Sequence, residues 1–301
     1  MKTLSYFLLF SLFALTLESQ AQGYLKSEYM TSSPLKNEEG EGLGSGDFLK
    51  ISGGYNVTLS LKQNELKQTT LWAASLNGSY GILNNQGEAS CLNPEKILNL
   101  SLNLTHIRPI SDRWSLLATL GGGIYSAPDE ITARNTLVNG GAIFLYKLKT
   151  NFNLGIGLGL TNSFGIPIVM PMFVVDWNLP GRYEVKVNLA SGMEISGAMR
   201  IDDRLKIKLI ALEMDGMSSV MNIDGESMIY ASTTIRSFLC PEYKIGKSST
   251  LYVGAGGTWI RSATLTKRSV KDFFNNLFSE KNNNFDFSVA GYLTVGFRYG
   301  F

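Results

Sequence analysis

The chain has 301 residues, with 27 lysines and arginines against 25 aspartates and glutamates, one histidine and a formal net charge of +2. So small an imbalance excludes the basic footprint of a nucleic-acid binder and implies no strong steering field. Glycine is abundant at 31 residues and proline scarce at 8, a pattern of many strands joined by turns.

The N-terminus reads as an export signal over 1–21. Met1 and Lys2 precede an apolar run from Leu4 to Leu17, and Ser19 and Ala21 stand at −3 and −1 of a cleavage point. The run is too short and wrongly flanked for a tethering helix. No cysteine follows the cleavage point, which argues against a lipid anchor. Residues 22–301 show no linker, charge block or composition break, so they form one domain. None of their segments reaches the roughly 20 apolar residues of a spanning helix.

Beyond the signal, period two dominates. Residues 23–33 alternate weakly and 47–61 follow as a second strand. Leu98, Leu100, Leu102 and Leu104 alternate with Asn99, Ser101, Asn103 and Thr105. Phe152, Leu154, Ile156, Leu158 and Leu160 alternate with Asn153, Gly155, Gly157 and Gly159. Leu205, Ile207 and Leu209 repeat the pattern, and 285–301 sets every odd residue from Phe285 to Phe301 on one largely apolar face. Alternation puts each set on one face of a strand. The runs exceed the roughly 5–6 residues of soluble strands and suit tilted membrane strands of about 9–11.

Short polar turns fall at 63–66, 109–112, 149–150, 179–181, 202–203 and 246–249. Generally longer connections lie between them, at 34–46, 84–95, 127–135, 163–165, 191–192, 215–226 and 264–284, two of these being tight. Short periplasmic turns and longer outer loops orient an outer-membrane barrel. Parity then requires an ascending strand in 23–33, which pairs with the last strand to close the ring. The expected fold is an all-β, single-chain, antiparallel transmembrane β-barrel of fourteen strands, with twelve or sixteen as alternatives. Trp114, Tyr146, Phe152, Trp177, Tyr183, Tyr243, Tyr252 and Tyr299 cluster near the short turns, as an interfacial belt would. Ordinary aromatic enrichment in strands is the competing reading.

The signal ending in Gln20-Ala21-Gln22, the alternating strands, the turn "RPISDRWSL" (108–116) and the terminal "GFRYGF" resemble an outer-membrane β-barrel. The sequence is most similar to uncharacterised barrel families of Bacteroidota-type bacteria. That resemblance implies an outer-membrane location in a Gram-negative cell and contact with membrane lipid. It also implies a terminal aromatic strand, here Phe297, Tyr299 and Phe301, read by the barrel-assembly machinery.

Little in the sequence carries catalysis. The one histidine, His106, shares parity with Leu98–Leu104 and is expected at the lipid face, which removes a Ser/His pair. Asp202 with Asp203, and Glu38 with Glu39, are carboxylate pairs whose default reading is solvated turn and loop charge. One histidine and two cysteines form no metal-ligand spacing, and no cofactor is expected. Cys91 in an outer loop and Cys240 on a strand near the opposite end are expected as free thiols. Gly121–Gly123 marks a bend or close backbone approach within a strand.

The lumen is the expected functional surface. Lys186, Arg200, Lys206, Lys208, Arg236, Lys244 and Arg298 lie opposite the lipid-facing sets, with Glu184, Glu194, Glu242 and Asp286 on the same inner faces. Their cation excess suits a water-filled pore with mild anion preference; mutually neutralised ladders in a closed lumen are the alternative. Residues 166–177 and 142–148 are apolar on both faces and flank the strand with inner Gly155, Gly157 and Gly159. One sector of inner wall is therefore greasy and furrowed, and something is expected to pack there. In the longest loop, Val270, Phe273, Phe274, Leu277 and Phe278 recur at helical spacing, with Ser269 as N-cap and Asp272 at N3. A helix over 269–281 is expected to constrict the mouth through Phe273, Phe274, Leu277 and Phe278. Three functions follow in order: a channel for small solutes, a transporter of hydrophobic compounds, and a closed structural or adhesive barrel.

Overall fold

A period of two in side-chain character needs an apolar surrounding on one side and a separate interior on the other. The computed structural model meets this with one closed antiparallel ring. It describes residues 21–36, 40–65, 68–161, 168–189, 193–223, 225–269, 271 and 284–300. In chain order the strands are β1 (Ala21–Lys36), β2 (Gly42–Gln63), β3 (Thr69–Gly87), β4 (Lys96–Pro109) and β5 (Trp114–Ser126). Then come β6 (Thr136–Lys149), β7 (Phe152–Thr161), β8 (Ile168–Leu179), β9 (Tyr183–Asn188) and β10 (Met193–Arg200). The series ends with β11 (Leu205–Ile223), β12 (Glu226–Lys244), β13 (Ser249–Lys267), β14 (Asn284–Phe287) and β15 (Ala290–Tyr299). A one-turn helix α1 (Ala89–Leu92) follows β3.

Each strand pairs with its sequence neighbour. β14 and β15 both pair with β13 and with β1, so they are two halves of one stave and the ring has fourteen. The weakly alternating first strand closes it, from Gly23 opposite Tyr299 to Met30 opposite Tyr292. Both the strand count and this pairing are as expected from turn parity.

The six short turns gather at the end that holds Gly23 and Tyr299. The Gly300 amide donates to the Ser248 carbonyl at 2.8 Å, setting the last residues beside the β12–β13 turn, where Gly246 takes φ +83°. At the other end two expected loops are shorter than their composition suggested. Residues 215–226 are not a loop: β11 runs on to Ile223 and β12 begins at Glu226, across a tight turn with Gly225 at φ +82°. Asp215-Gly216 and Ser218-Ser219 resemble turn residues, yet cross-strand pairing and burial hold them in a ladder. Likewise β1 and β2 extend into the expected 34–46 connection.

The inside–outside alternation slips once at the closing seam. Met30 faces inward, and so does Leu35, although their numbers differ in parity; β1 absorbs the change between Met30 and Ser33. β13 does so at Trp259 and Ile260, both exposed, between the buried Thr258 and Arg261. The last stave breaks at Ser288–Val289, so Ala290 and Tyr292 are buried below the break and Phe287 above it. An extra residue in one strand of a pair leaves two residues opposing one and bends the strand. Asp286 is therefore on the exposed face and Phe287 inside, reversing the sequence expectation for both. The uninterrupted odd-numbered lipid face runs only from Val289 to Tyr299.

The helix expected over 269–281, with Phe273, Phe274, Leu277 and Phe278, lies outside the described residues except for Ser269 and Lys271. So do residues 1–20 of the expected signal, Glu38, Glu39 and Phe301.

Candidate functional site

The interior divides into three parts: a plugged mouth at the end opposite the short turns, a charged vestibule and an apolar wall. The plug comes from strand lengths. β10 pairs with β11 only as far as Met193 opposite Met214, so the following nine residues of β11 have no partner strand on that side among the described residues. The upper β11–β12 hairpin turns inward, and both its faces are buried. On one face Met217 and Tyr230 pack with Phe48, Leu83, Ile97 and Ala263. On the other, Val220 (3 % exposed) and Ile229 (9 %) pack with Leu137 and Tyr125.

A strand edge buried without partners would leave costly orphan groups, and here side chains supply them. Asn99 Nδ2 on β4 donates to the Ser218 carbonyl at 2.6 Å, and its Oδ1 accepts from the Ser218 amide at 3.3 Å. Asn135 Nδ2 donates to the Val220 carbonyl at 2.8 Å. The Tyr230 hydroxyl donates to Asn93 Oδ1 at 2.8 Å, tying the hairpin to the end of α1. Sequence reasoning placed Asn99 on the inner face but missed its role, because nothing local shows that a strand 119 positions away needs it.

Below the plug lies a cavity of about 630 Å³, lined among others by Lys26, Lys50, Asn77, Glu194, Asp215 and Arg298. Arg236, expected to line the lumen, is fully buried just beneath the plug, opposite Glu213. Its guanidinium meets Glu28 at 2.8 Å, Glu213 at 2.7 Å and Asp215 at 3.1 Å, and lies 4.7 Å from the Tyr292 ring centroid. Lys50 reaches the same Asp215 at 2.6 Å, and the Tyr292 hydroxyl donates to Glu28 at 2.5 Å. These contacts join β1, β2, β11, β12 and β15 across the interior.

Nearer the short turns, Lys206 bridges Glu184 at 3.1 Å and Glu242 at 3.2 Å. Arg200 meets Glu184 at 2.9 Å and Arg298 meets Glu242 at 2.7 Å. Lys208 and Lys186 share Glu194 at 2.7 and 3.1 Å. Of the residues named from sequence, Lys186, Arg200, Lys206, Lys208, Arg298, Glu184 and Glu194 thus form linked pairs. Among the described residues of these interior clusters, eight cations face six carboxylates. Lys26, Glu28, Lys50, Glu213 and Asp215 were missed: β1 alternates weakly, and the expected outer loop began at Asp215.

The apolar wall is β6–β8. Cross-strand pairing puts Gly155, Gly157 and Gly159 on one face with Val174, Met172 and Met170. Neighbours fill the glycine furrow: a Cβ at Gly159 would lie 2.6 Å from Met172 Sδ, and one at Gly155 would lie 3.0 Å from Ile143 Cγ2 and Val174 Cβ. What packs there is the wall's own side chains.

Two features expected at the rim are settled by geometry. His106 faces outward, stacked on Trp72 at 4.1 Å between centroids with Nδ1 3.1 Å from the Leu71 carbonyl. Asp202 Oδ1 accepts from the Arg204 and Leu205 amides at 2.7 and 2.8 Å, a turn-closing role, and those bonds hold its carboxyl below the usual range. Tyr252 leaves the belt, because it lines the cavity beneath Arg298, 5.1 Å from its ring centroid. Cys91 is exposed, Cys240 is buried, and both are free.

Outside, the ring carries Leu25, Leu102, Leu120, Ile156, Leu158, Phe173, Val253 and Leu293, all more than half exposed. Trp72, Trp114, Trp177, Tyr183, Tyr243 and Tyr299 stand exposed towards the short turns. An apolar surface of this extent needs a covering medium, and a closed ring has no edge to satisfy. The barrel spans a membrane.

The family model for a domain of unknown function, DUF6268, matches residues 17–300. The chain belongs to this family. A comparison with curated proteins finds no match. Among solved structures, this DUF6268 member is similar to the COG4313 outer membrane channel from Pseudomonas putida F1 at 10% identity, TM-score 0.45, covering 94% of this chain and 96% of that one. It is also similar to the toluene transporter TodX of Pseudomonas putida, at 9% identity, TM-score 0.36, covering 94% and 90%. The outer membrane protease OmpT of Escherichia coli is similar at 12% identity, TM-score 0.25, covering 94% and 97%. At such identities a shared chemistry does not follow.

Proposed function

We propose that this protein is a conduit for small solutes in the outer membrane of a Gram-negative bacterium, delivered by the export signal over 1–21. Phe297, Tyr299 and Phe301 then serve as the address read during assembly. The observation that carries the reading is the cavity of about 630 Å³ inside a membrane-spanning ring, walled by paired charges rather than by packed apolar side chains. Its cation excess favours anions. The β11–β12 hairpin is the gate, held by the hydrogen bonds of Asn99 and Asn135. A helix over 269–281 adds a second constriction through Phe273, Phe274, Leu277 and Phe278.

The test is planar-bilayer conductance of the refolded barrel, with selectivity taken from the reversal potential. A small, anion-preferring conductance that rises in an Asn99→Leu, Asn135→Leu variant is expected. A barrel that passes no current even in that variant overturns the proposal. Deleting 269–281 reports separately on the second constriction, and unchanged conductance removes it.

A further inference from the structure

The wall of the barrel is notched. β9 and β10 are only six and eight residues long, whereas their flanking neighbours β8 and β11 have twelve and nineteen. β8 pairs with β9 only over Asp176–Leu179, and the Leu189 amide adds one bond to the Val175 carbonyl. From Ile168 to Val174, β8 has no partner strand on that side among the described residues. Across the notch, β11 has none beyond Met214 among the described residues and leans away to meet β4, β5 and Asn135. The two edges therefore diverge above the β9–β10 hairpin, over some seven residues of β8, or about 23 Å at a strand's rise.

Three independent features say what fits this opening. First, β8 is apolar on both faces along the notch: Val169 and Phe173 stand outward, 60 % and 67 % exposed, and Met170 stands inward yet is 37 % exposed. An inward methionine left uncovered beside a filled glycine furrow is a seat for an apolar chain. Second, the cavity reaches the notch, because its lining includes Asn188, Met193, Met214 and Gly216 at the base and far rim. Third, cations lie just below: Lys186, 43 % exposed in its side chain, and Lys208 flank Glu194, in an interior where cations outnumber carboxylates.

We propose that the notch is a lateral portal between the outer leaflet and the vestibule, and that its cargo is an amphipathic carboxylate with a medium-length acyl chain. The chain lies along Ile168, Met170 and the Met172-filled furrow, while the carboxylate faces Lys186. The route past β8 needs no opening of the hairpin, so cargo leaves the membrane sideways and reaches the vestibule beneath the plug. This rests on the conduit reading for where the cargo goes next.

The experiment uses the full-length mature barrel in dioleoylphosphatidylcholine vesicles, with dansyl-undecanoate as probe and decanoate as competitor. Wild type is expected to bind the probe saturably, to release it to decanoate, and to show bound emission quenched when the vesicle lipid carries brominated acyl chains. Met170→Glu on the near rim and Met214→Glu on the far rim should each weaken binding at least tenfold, and Met170→Leu less than twofold. Heat-modifiable gel migration confirms that each variant has closed its ring. Absence of saturable binding, wild-type affinity in both Glu variants, or bound probe that brominated lipid does not quench each overturns the portal. If wild type binds quenchable probe but no current passes even in the Asn99→Leu, Asn135→Leu variant, the conduit reading falls and the portal stands.

Discussion

Asn99 on β4 satisfies both backbone groups of Ser218 on β11 with one carboxamide, donating at 2.6 Å and accepting at 3.3 Å. That single side chain ties the inserted hairpin to the wall at β4, which makes it the latch. Asn99→Leu keeps the branched shape in a larger side chain and removes both bonds. Orphaned buried groups cost about 1–3 kcal/mol each, so the hairpin should swing back towards water. Single-channel conductance should rise severalfold while gel migration of the folded barrel stays unchanged.

Arg236 is the most deeply committed charge in the interior. Its loss leaves Glu28, which has no exposed side-chain surface, with only Lys26 and the Tyr292 hydroxyl, and weakens the hold on Glu213 and Asp215. Removing one partner of a buried pair costs about 3–5 kcal/mol. Arg236→Met should lower the urea midpoint accordingly, and adding Glu28→Gln should recover part of the loss.

Gly157 sits where β7 meets β6 most closely. A Cβ there would collide with the Ala142 carbonyl oxygen and lie 2.6 Å from Ile143 Cα, both backbone atoms that cannot rotate away. Gly157→Ala should destabilise the barrel by about 1–3 kcal/mol, and Gly157→Val should reduce the yield of heat-modifiable protein. Gly197, with only the Glu184 carbonyl oxygen at 3.9 Å, should accept alanine with little effect.

The two thiols report topology. Cys91 follows β3 at the end opposite the short turns and is exposed, while Cys240 is buried on β12. A membrane-impermeant maleimide on intact cells should label Cys91 and leave Cys240 untouched until the barrel is unfolded. Labelling of Cys91 only after the outer membrane is opened would reverse the orientation.

Asp202 gives a pH dependence of known sign. The Arg204 and Leu205 amides favour its charged form, so its folded pKa lies below the ordinary value of 3.8. Such a group contributes stability above its unfolded pKa and loses it as pH falls through the folded one. The urea midpoints of wild type and Asp202→Ala should therefore differ at neutral pH and converge in acid below about pH 4.

Much of this architecture was legible from side-chain period alone. Leu98–Leu104 and Ile156–Leu160 face lipid because strict alternation admits one assignment, and the six short turns fixed the direction of every strand between them. The portions that escaped are those where both faces are buried or the period breaks. Val220 and Ile229 occupy outward positions by alternation, yet the inserted hairpin buries them. Phe287 and Asp286 exchange faces because the period slips two residues later. Tyr252 looked like a belt residue because a strand near a turn offers an aromatic ring either headgroups or a wet interior. No local signal distinguishes those destinations.

The slip at the seam has its own effect on how the ring can close. β1, β13 and the stave made of β14 and β15 each change parity at nearly the same height, so the seam is kinked where the first strand meets the last. Sliding the first strand by two residues would keep its lower half paired with β15 inside to inside. Above the seam a slide in one direction would set the inward Leu35 against the outward Val289, and a slide in either direction would pull Thr31 Oγ1 away from the Gly291 amide, which donates to it at 2.8 Å. In a uniform ladder every even slide is nearly as good as the last. Here the kinked seam acts like the bitting of a key, rejecting a misaligned first strand before the barrel is sealed.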